Sequence, residues 1–480
     1  MSATSTSKLT IQERLQQLQK AKEAPSPAPQ KIQRVAHYLR NRKNFTKHYS
    51  PKLMSLGPIH YGNPKLQPGE HYKKMWAAEY IDSRNISPQK LHTEVVQNME
   101  TLKPLFDDDL FIKNSTFLGY YEQGFGTPEE MISWTLFVDG CALLWILEHA
   151  KLDKLEKMKV KVDQLVLVMQ DVLLLENQLP FPLLKHLWRD SEKPLKETMK
   201  EFLRCHHWAT REEDKIFEAE FPDPTHLLGL QRSIILHEPK KKNQTQNDGN
   251  GKENHIQDAP TQNTHNHDHC LKHILTYITG KRRKTQNGST ENPEDMVTYR
   301  NIKELKAAGI ELKSSKTRRP KDISFSFGWF HSTLKLPEIV VDDTTAATVL
   351  NLIAYEMCPD FQNDYGICSY VSFLDSLIDH PDDVKALRSE RILLNSLGSD
   401  EEVANLFNTL STDLVPDMGK YACLRNQIER HYNDKRRTWL ALGCNTYFST
   451  PWAIIAFQAA VVGLLLTFVQ TWYAIHPPKS

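Results

Sequence analysis

From Thr438 to Pro478 the chain carries no Asp, Glu, Lys or Arg, and within that tract residues 452–475 are apolar apart from Gln458, Thr467, Gln470 and Thr471. At about 1.5 Å per residue, a helix over this stretch crosses a hydrocarbon core of roughly 30 Å with some tilt. It is apolar all round, so it has no charged face to turn to water and predicts a transmembrane helix at 450–475 rather than an amphipathic core helix. Trp452 at one end and Trp472 with Tyr473 at the other stand where aromatic belts belong. Lys435, Arg436 and Arg437 precede the stretch and Lys479 alone follows it. That asymmetry predicts a single-pass anchor in the lipid bilayer with the long N-terminal body in the cytosol. A second apolar run, 131–147, fails the same test: Asp139 interrupts it and Glu148 and His149 follow at once. It reads as a buried helix of the body.

With 480 residues, 40% of them apolar and 9% aromatic, the chain has ample material for a packed core, which excludes uniform disorder. The formal charge of +1 gives no global field toward nucleic acid. Seven cysteines, scattered at 141, 205, 270, 358, 368, 423 and 444 without CxxC spacing, argue against a disulfide framework or a zinc ribbon and for a reducing compartment. The opening MSATSTSKLT lacks the basic-then-apolar pattern of a secretory signal.

The remaining order follows from local signals. Residues 1–30 read as a flexible extension: a short exposed helix at 11–23, too short for a coiled coil, then a Pro-rich tether. Residues 31–445 read as one helical body, interrupted at about 238–293 by a disordered insertion of Asn, Gln, Lys, Asp, Gly and His. Thr127-Pro128-Glu129-Glu130 and Ser399-Asp400-Glu401-Glu402 are helix-start signals. Helices are expected over 160–178, stopped by Pro180 and Pro182, and over 202–217, 271–278, 301–308 with Gly309 as cap, 344–357, 370–378 and 382–395. Residues 324–327 and 338–341 suggest a small strand pair. The fold class is therefore mainly α: a large helical domain with a small β element and a C-terminal transmembrane helix.

Several separated blocks together resemble one known family. Tyr49-x-Pro51 followed by Ser55-Leu56-Gly57-Pro58-x-His60-Tyr61-Gly62 is similar to the opening motif of the plant family of domain of unknown function 247. Val138-Asp139-Gly140-Cys141, the block Asp171 to Pro180 with Glu176, Asn177 and Gln178, Asn351 to Glu356, Leu397 to Ala404 and Pro451-Trp452 continue the likeness in order. Gly69-Glu70 and Tyr72-Lys73-Lys74 fit the family's acid-and-lysine step only loosely. The resemblance implies a plant-restricted, mostly helical protein that ends in one membrane helix and has no established activity. Some grass members look like pollen-side determinants of self-incompatibility, which implies recognition rather than catalysis.

Asp139, Asp171, Glu176, Asn177 and Gln178 are polar groups set among apolar residues, where burial without partners costs several kcal/mol each. They are expected to form a helix-joining hydrogen-bond network. The alternative is a hydrolase using Asp139, Asp171 and Glu176 as an acid/base site. No nucleophile or metal-spaced His accompanies them, and the chain has no phosphate loop, GxGxxG, GxSxG or HExxH motif, so no catalytic, cofactor or metal residues are assigned. His265, His267 and His269 with Asp268 and Cys270 form a metal-like cluster, expected to bind weakly or not at all because they sit in low-complexity sequence. Lys281 to Lys284 and the 316–321 cluster read as solvated linkers, with inner-leaflet contact as the other reading.

Overall fold

The computed structural model describes residues 10–20, 30–41, 45–112, 124–151, 155–190, 192–204, 219–237, 300–315, 317–328, 332–362, 364–412, 414–417, 419–433 and 451–475. The expected helix at 271–278, most of that at 202–217, the polar insertion with its histidines, and the Lys281 to Lys284 run lie outside the described residues. The chain divides into two compact units: residues 1–195, 223–227 and 354–364, and residues 196–222, 228–353 and 365–480.

In the first unit, α1 (Ile11–Lys20) is short and exposed. The centre is a pair of long helices, α2 (Gln67–Ser83) and α3 (Pro128–His149). Thr127 caps α3, its hydroxyl accepting the Glu130 amide at 3.2 Å, while the Glu130 carboxylate accepts the Gly126 amide at 2.9 Å. The apolar run expected to be buried is buried, with 83% of the helix's most apolar 18-residue window covered. Gly140 permits close packing, since a Cβ there would meet Leu187 at 2.4 Å. Trp76 and Tyr80 on α2 are fully buried and tie the unit together, Trp76 donating to the Met158 carbonyl and Tyr80 to that of Leu187, both at 2.9 Å.

The helix expected over 160–178 is shorter: α4 (Val162–Asp171) ends at Asp171, and turns lead to a 3-10 segment, Leu175–Asn177, before α5 (Phe181–Leu187). The reason lies in the side chains beyond its end. Asn177 donates to the Asp171 carbonyl (2.9 Å) and Gln178 to those of Val172 and Leu174 (2.8 Å each), so carbonyls that a longer helix would satisfy are taken by amide side chains.

The second unit holds α6 (Ile302–Ala307), capped by Asn301 and closed by Gly309 at φ +81°. Two small sheets follow rather than one strand pair. β1 (Ile310–Ser314), β2 (Ser324–Ser326) and β3 (Ser332–Leu336) form a sheet of order β1-β3-β2, whereas β4 (Ile339–Val341) pairs in parallel with the distant β5 (Leu393–Asn395). The two expected strands thus belong to different sheets, β2 pairing with β3 and β4 with β5. Helices α7 (Thr345–Glu356), α8 (Gly366–Leu377), α9 (Pro381–Ser389) and α10 (Asp400–Leu410) come next. The helix expected to reach residue 395 stops at Ser389 because Arg391 adopts φ +55° and the following apolar residues pair with β4. Next, α11 (Ala422–Asn433) is joined to the three-stranded sheet through His431. The ring donates from Nε2 to the Ala308 carbonyl at 2.9 Å, and Nδ1 is hydrogen-bonded to the Ser332 hydroxyl at 2.9 Å. Last comes α12 (Pro451–Ile475), whose large apolar side chains at residues 455–472 are exposed.

Candidate functional site

The polar blocks converge on one irregular segment of the first unit, residues 52–60. Asp171 at the end of α4 accepts three consecutive backbone amides: Lys52 on Oδ1 at 2.9 Å, and Leu53 and Met54 on Oδ2 at 2.7 and 3.0 Å. Asn177 then accepts the Leu56 amide at 2.6 Å and donates to the Met54 carbonyl at 3.1 Å. Asp139, from the middle of α3, accepts the Gly57 amide at 2.8 Å. Five amides of a loop with no strand partner are thereby satisfied by side chains from two separate blocks. Gly57 holds φ +71° and a Cβ there would lie 3.4 Å from the Gln178 carbonyl oxygen, so this turn favours glycine. Gly69 is more tightly constrained, since its Cβ would lie 2.1 Å from the Leu53 carbonyl oxygen.

A buried charge cluster backs the loop. Lys73 on α2 lies 2.8 Å from Asp139 and 2.8 Å from Glu70, and Ser55 donates to Glu70 at 3.0 Å. Lys73 and Asp139 are each 1% exposed. Burial works to lower the Lys73 pKa, but the attraction of Asp139 and Glu70 and their hydrogen bonds outweigh it and the net direction is upward. Burial pushes Asp139 up to about 6, against Lys73 and the Gly57 amide and with repulsion from Glu70 added. The two directions are compatible because the lysine faces two carboxylates whereas Asp139 faces one ammonium and one carboxylate. A lysine held protonated in this way is no base for Ser55, although their polar atoms are 3.4 Å apart.

Glu176 serves a second strap. Its Oε1 accepts the Val35 amide at 2.8 Å, with Arg40 at 3.5 Å, and its Oε2 lies 3.0 Å from His60 Nε2. Burial acts to raise its pKa, but His60, the Val35 amide and Arg40 prevail and hold the carboxyl below its ordinary value. Asp171 goes the other way, burial raising it against the three amides it accepts. The three carboxylates expected as either a network or an acid/base site are thus brought to one loop and its flank, each facing backbone amides. The Cys141 thiol, beside them in sequence, is buried and pushed up to about 12.

Other expected residues lie elsewhere. Pro180 precedes α5, and Asn351 and Glu356 are buried on α7, where the Asn351 amide donates to the Ala347 carbonyl at 2.7 Å. Trp452 and Trp472 are exposed on α12. Among the described residues, no group of three His, Cys, Asp or Glu is arranged to hold a metal ion. Sequence reasoning missed Val35 and Arg40, and passed over Glu70 and Lys73 as a loose motif. A signal was present, since Lys73 falls in phase with buried Gly69, Trp76, Ala77 and Tyr80 on α2. It missed the Ser332–His431 pair as well, a hydroxyl on an imidazole but fully buried and oriented by a carbonyl rather than a carboxylate.

A helical body whose polar blocks grip an internal loop, followed by an exposed apolar helix, is the class of molecule that these features define. The chain belongs to the plant family of domain of unknown function 247, whose profile, described as a plant protein of unknown function, matches residues 32–466. It is similar to the UPF0481 protein At3g47200 of Arabidopsis thaliana, 24% identical over 444 residues that cover 89% of this chain and 83% of that protein. It is also similar to the putative UPF0481 protein At3g02645 of Arabidopsis thaliana, 22% identical over 486 residues, 88% of this chain and 86% of the other. No solved structure matches the chain.

Proposed function

We propose that the protein is a non-catalytic recognition module held at a membrane by α12, its body on the cytosolic side. The observation that carries the anchor is a contrast between two helices of suitable length and composition. The helix Pro128–His149 has 83% of its most apolar 18-residue window buried in the body, whereas the window Ile455–Trp472 has none of its residues covered. An uncovered apolar surface of that size is stabilised by lipid at about 25 cal/mol per Å². The non-catalytic part is supported by the engagement of Asp139, Asp171 and Glu176 with backbone amides, an arrangement that fixes a loop. The orientation rests on Lys435, Arg436 and Arg437 preceding the helix.

Carbonate washing of membranes from cells expressing the full chain tests the anchor: the protein is expected in the pellet, and its release into the supernatant refutes the reading. In sealed vesicles, protease should remove a tag placed at the N-terminus, and a protected tag would reverse the orientation. The hydrolase reading makes its own demand, that Glu176→Gln abolish a turnover while the fold and abundance stay intact.

A further inference from the structure

Helix α1 has a surface that nothing in its own turns can cover. Its start is well defined: the Glu13 amide donates to the Thr10 hydroxyl at 3.3 Å and the Thr10 amide to the Glu13 carboxylate at 2.7 Å, a reciprocal cap. Ile11, Leu15 and Leu18, spaced i, i+4 and i+7, share one face and are 78%, 55% and 66% exposed. A helix of ten residues is marginal in water unless such a face is packed.

Beyond α1 in the sequence, Gln30 is held in place by side-chain hydrogen bonds. Its side-chain oxygen accepts from the Thr225 hydroxyl at 3.1 Å and the Tyr355 hydroxyl at 2.7 Å, and the Lys31 amide donates to Asp360 at 2.5 Å. Gln30 also lines a groove of the first unit of about 540 Å³, within the range of roughly 300–1,000 Å³ of ligand clefts. The groove's apolar wall is Leu105, Pro180, Phe181, Pro182 and Pro224. Three of these residues have no amide hydrogen, and the Phe181 amide is spent on the Thr225 carbonyl at 2.9 Å. An incoming extended strand would find few donors there, whereas a helix brings its backbone bonds already made and asks only for apolar contact. Ten residue steps separate Lys20 from Gln30, a reach of at most about 36 Å, so α1 is tethered close to this groove.

We propose that the Ile11, Leu15 and Leu18 face of α1 docks into this groove of its own chain, making the N-terminal helix the groove's resident occupant. Helix and groove belong to the same unit, and the proposal stands apart from the membrane reading. The test uses the full-length chain in detergent micelles and again in phosphatidylcholine vesicles, with the photoreactive residue p-benzoylphenylalanine at position 15. After irradiation, mass spectrometry of the monomer band is expected to find adducts within residues 103–107, 180–186 or 222–226. Ile11→Asp with Leu18→Asp, both on the exposed face and remote from the core, should lower the adduct yield at least tenfold. Adducts to a second copy at dimer mass, to lipid alone or to other parts of the chain would overturn the proposal, as would a yield indifferent to the two aspartates.

Discussion

Replacing Lys73 by Met should damage the first unit far more than neutralising its partner Asp139. Lys73→Met leaves two carboxylates facing each other, one of them 1% exposed, and removing one partner of a buried pair costs about 3–5 kcal/mol. Asp139→Asn leaves Lys73 its 2.8 Å contact to Glu70, and the new amide oxygen can still accept from Gly57, so the cost falls to about 1–2 kcal/mol. At roughly 2–4 °C per kcal/mol for a unit of this size, the Lys73→Met transition should drop by about 6–20 °C. The double variant should cost less than the sum of the single ones, because the lost charge no longer strands its partner. The deficit should also depend on pH. Asp139 stands at about 6 with the lysine in place and rises further without it. A carboxyl whose folded pKa exceeds its unfolded one favours the fold while protonated and loses that advantage as pH climbs between the two values. The Lys73→Met deficit must therefore widen from pH 5 to pH 8. Scanning calorimetry of the full-length variants in detergent at both values measures it. Equal losses for the two single variants, or a Lys73→Met deficit that ignores pH, would refute the reasoning.

Glu176→Gln should loosen the strap at Val35 by about 1–3 kcal/mol, read as faster amide exchange across residues 32–39. In the unaltered protein the Glu176 pKa is depressed, so its contribution is present above the ordinary carboxyl pKa and is lost as pH falls through the folded value; exchange at Val35, corrected for intrinsic chemistry, should rise on acidification. Gly57→Ala should cost about 1–2 kcal/mol from its left-handed backbone alone, since a Cβ has room at 3.4 Å. Gly69→Ala should prevent accumulation of folded protein, because its Cβ would sit 2.1 Å from a backbone oxygen that no rotamer can move; comparable yields of the two alanine variants on expression would contradict this.

Features written in local sequence were legible before the structure. Thr127 and Ser399 each cap the helix that follows, and Gly309 closes the one it was expected to close. The burial of the 131–147 run followed from its interruption at Asp139. Less legible were features settled by distant partners. The end of α4 at Asp171 is dictated by amide side chains six and seven positions onward, and the pairing of β4 with β5 joins residues more than fifty apart. The site was half visible: unpartnered acids in apolar helices announced a network, but nothing local says that the residues they hold are the amides of 52–57. Lys73 was discounted as part of a loose motif, although its phase on α2 marks it as inward-facing.

Hydrogen exchange of the amides of Lys52, Leu53, Met54, Leu56 and Gly57 in the full-length protein asks most directly whether the polar blocks exist to hold this loop. They lie outside any helix or strand, yet they should exchange about as slowly as the interior amides of α3 and quicken together in Asp171→Ala. Exchange at the rate of an open loop, or protection untouched by that substitution, would contradict the account.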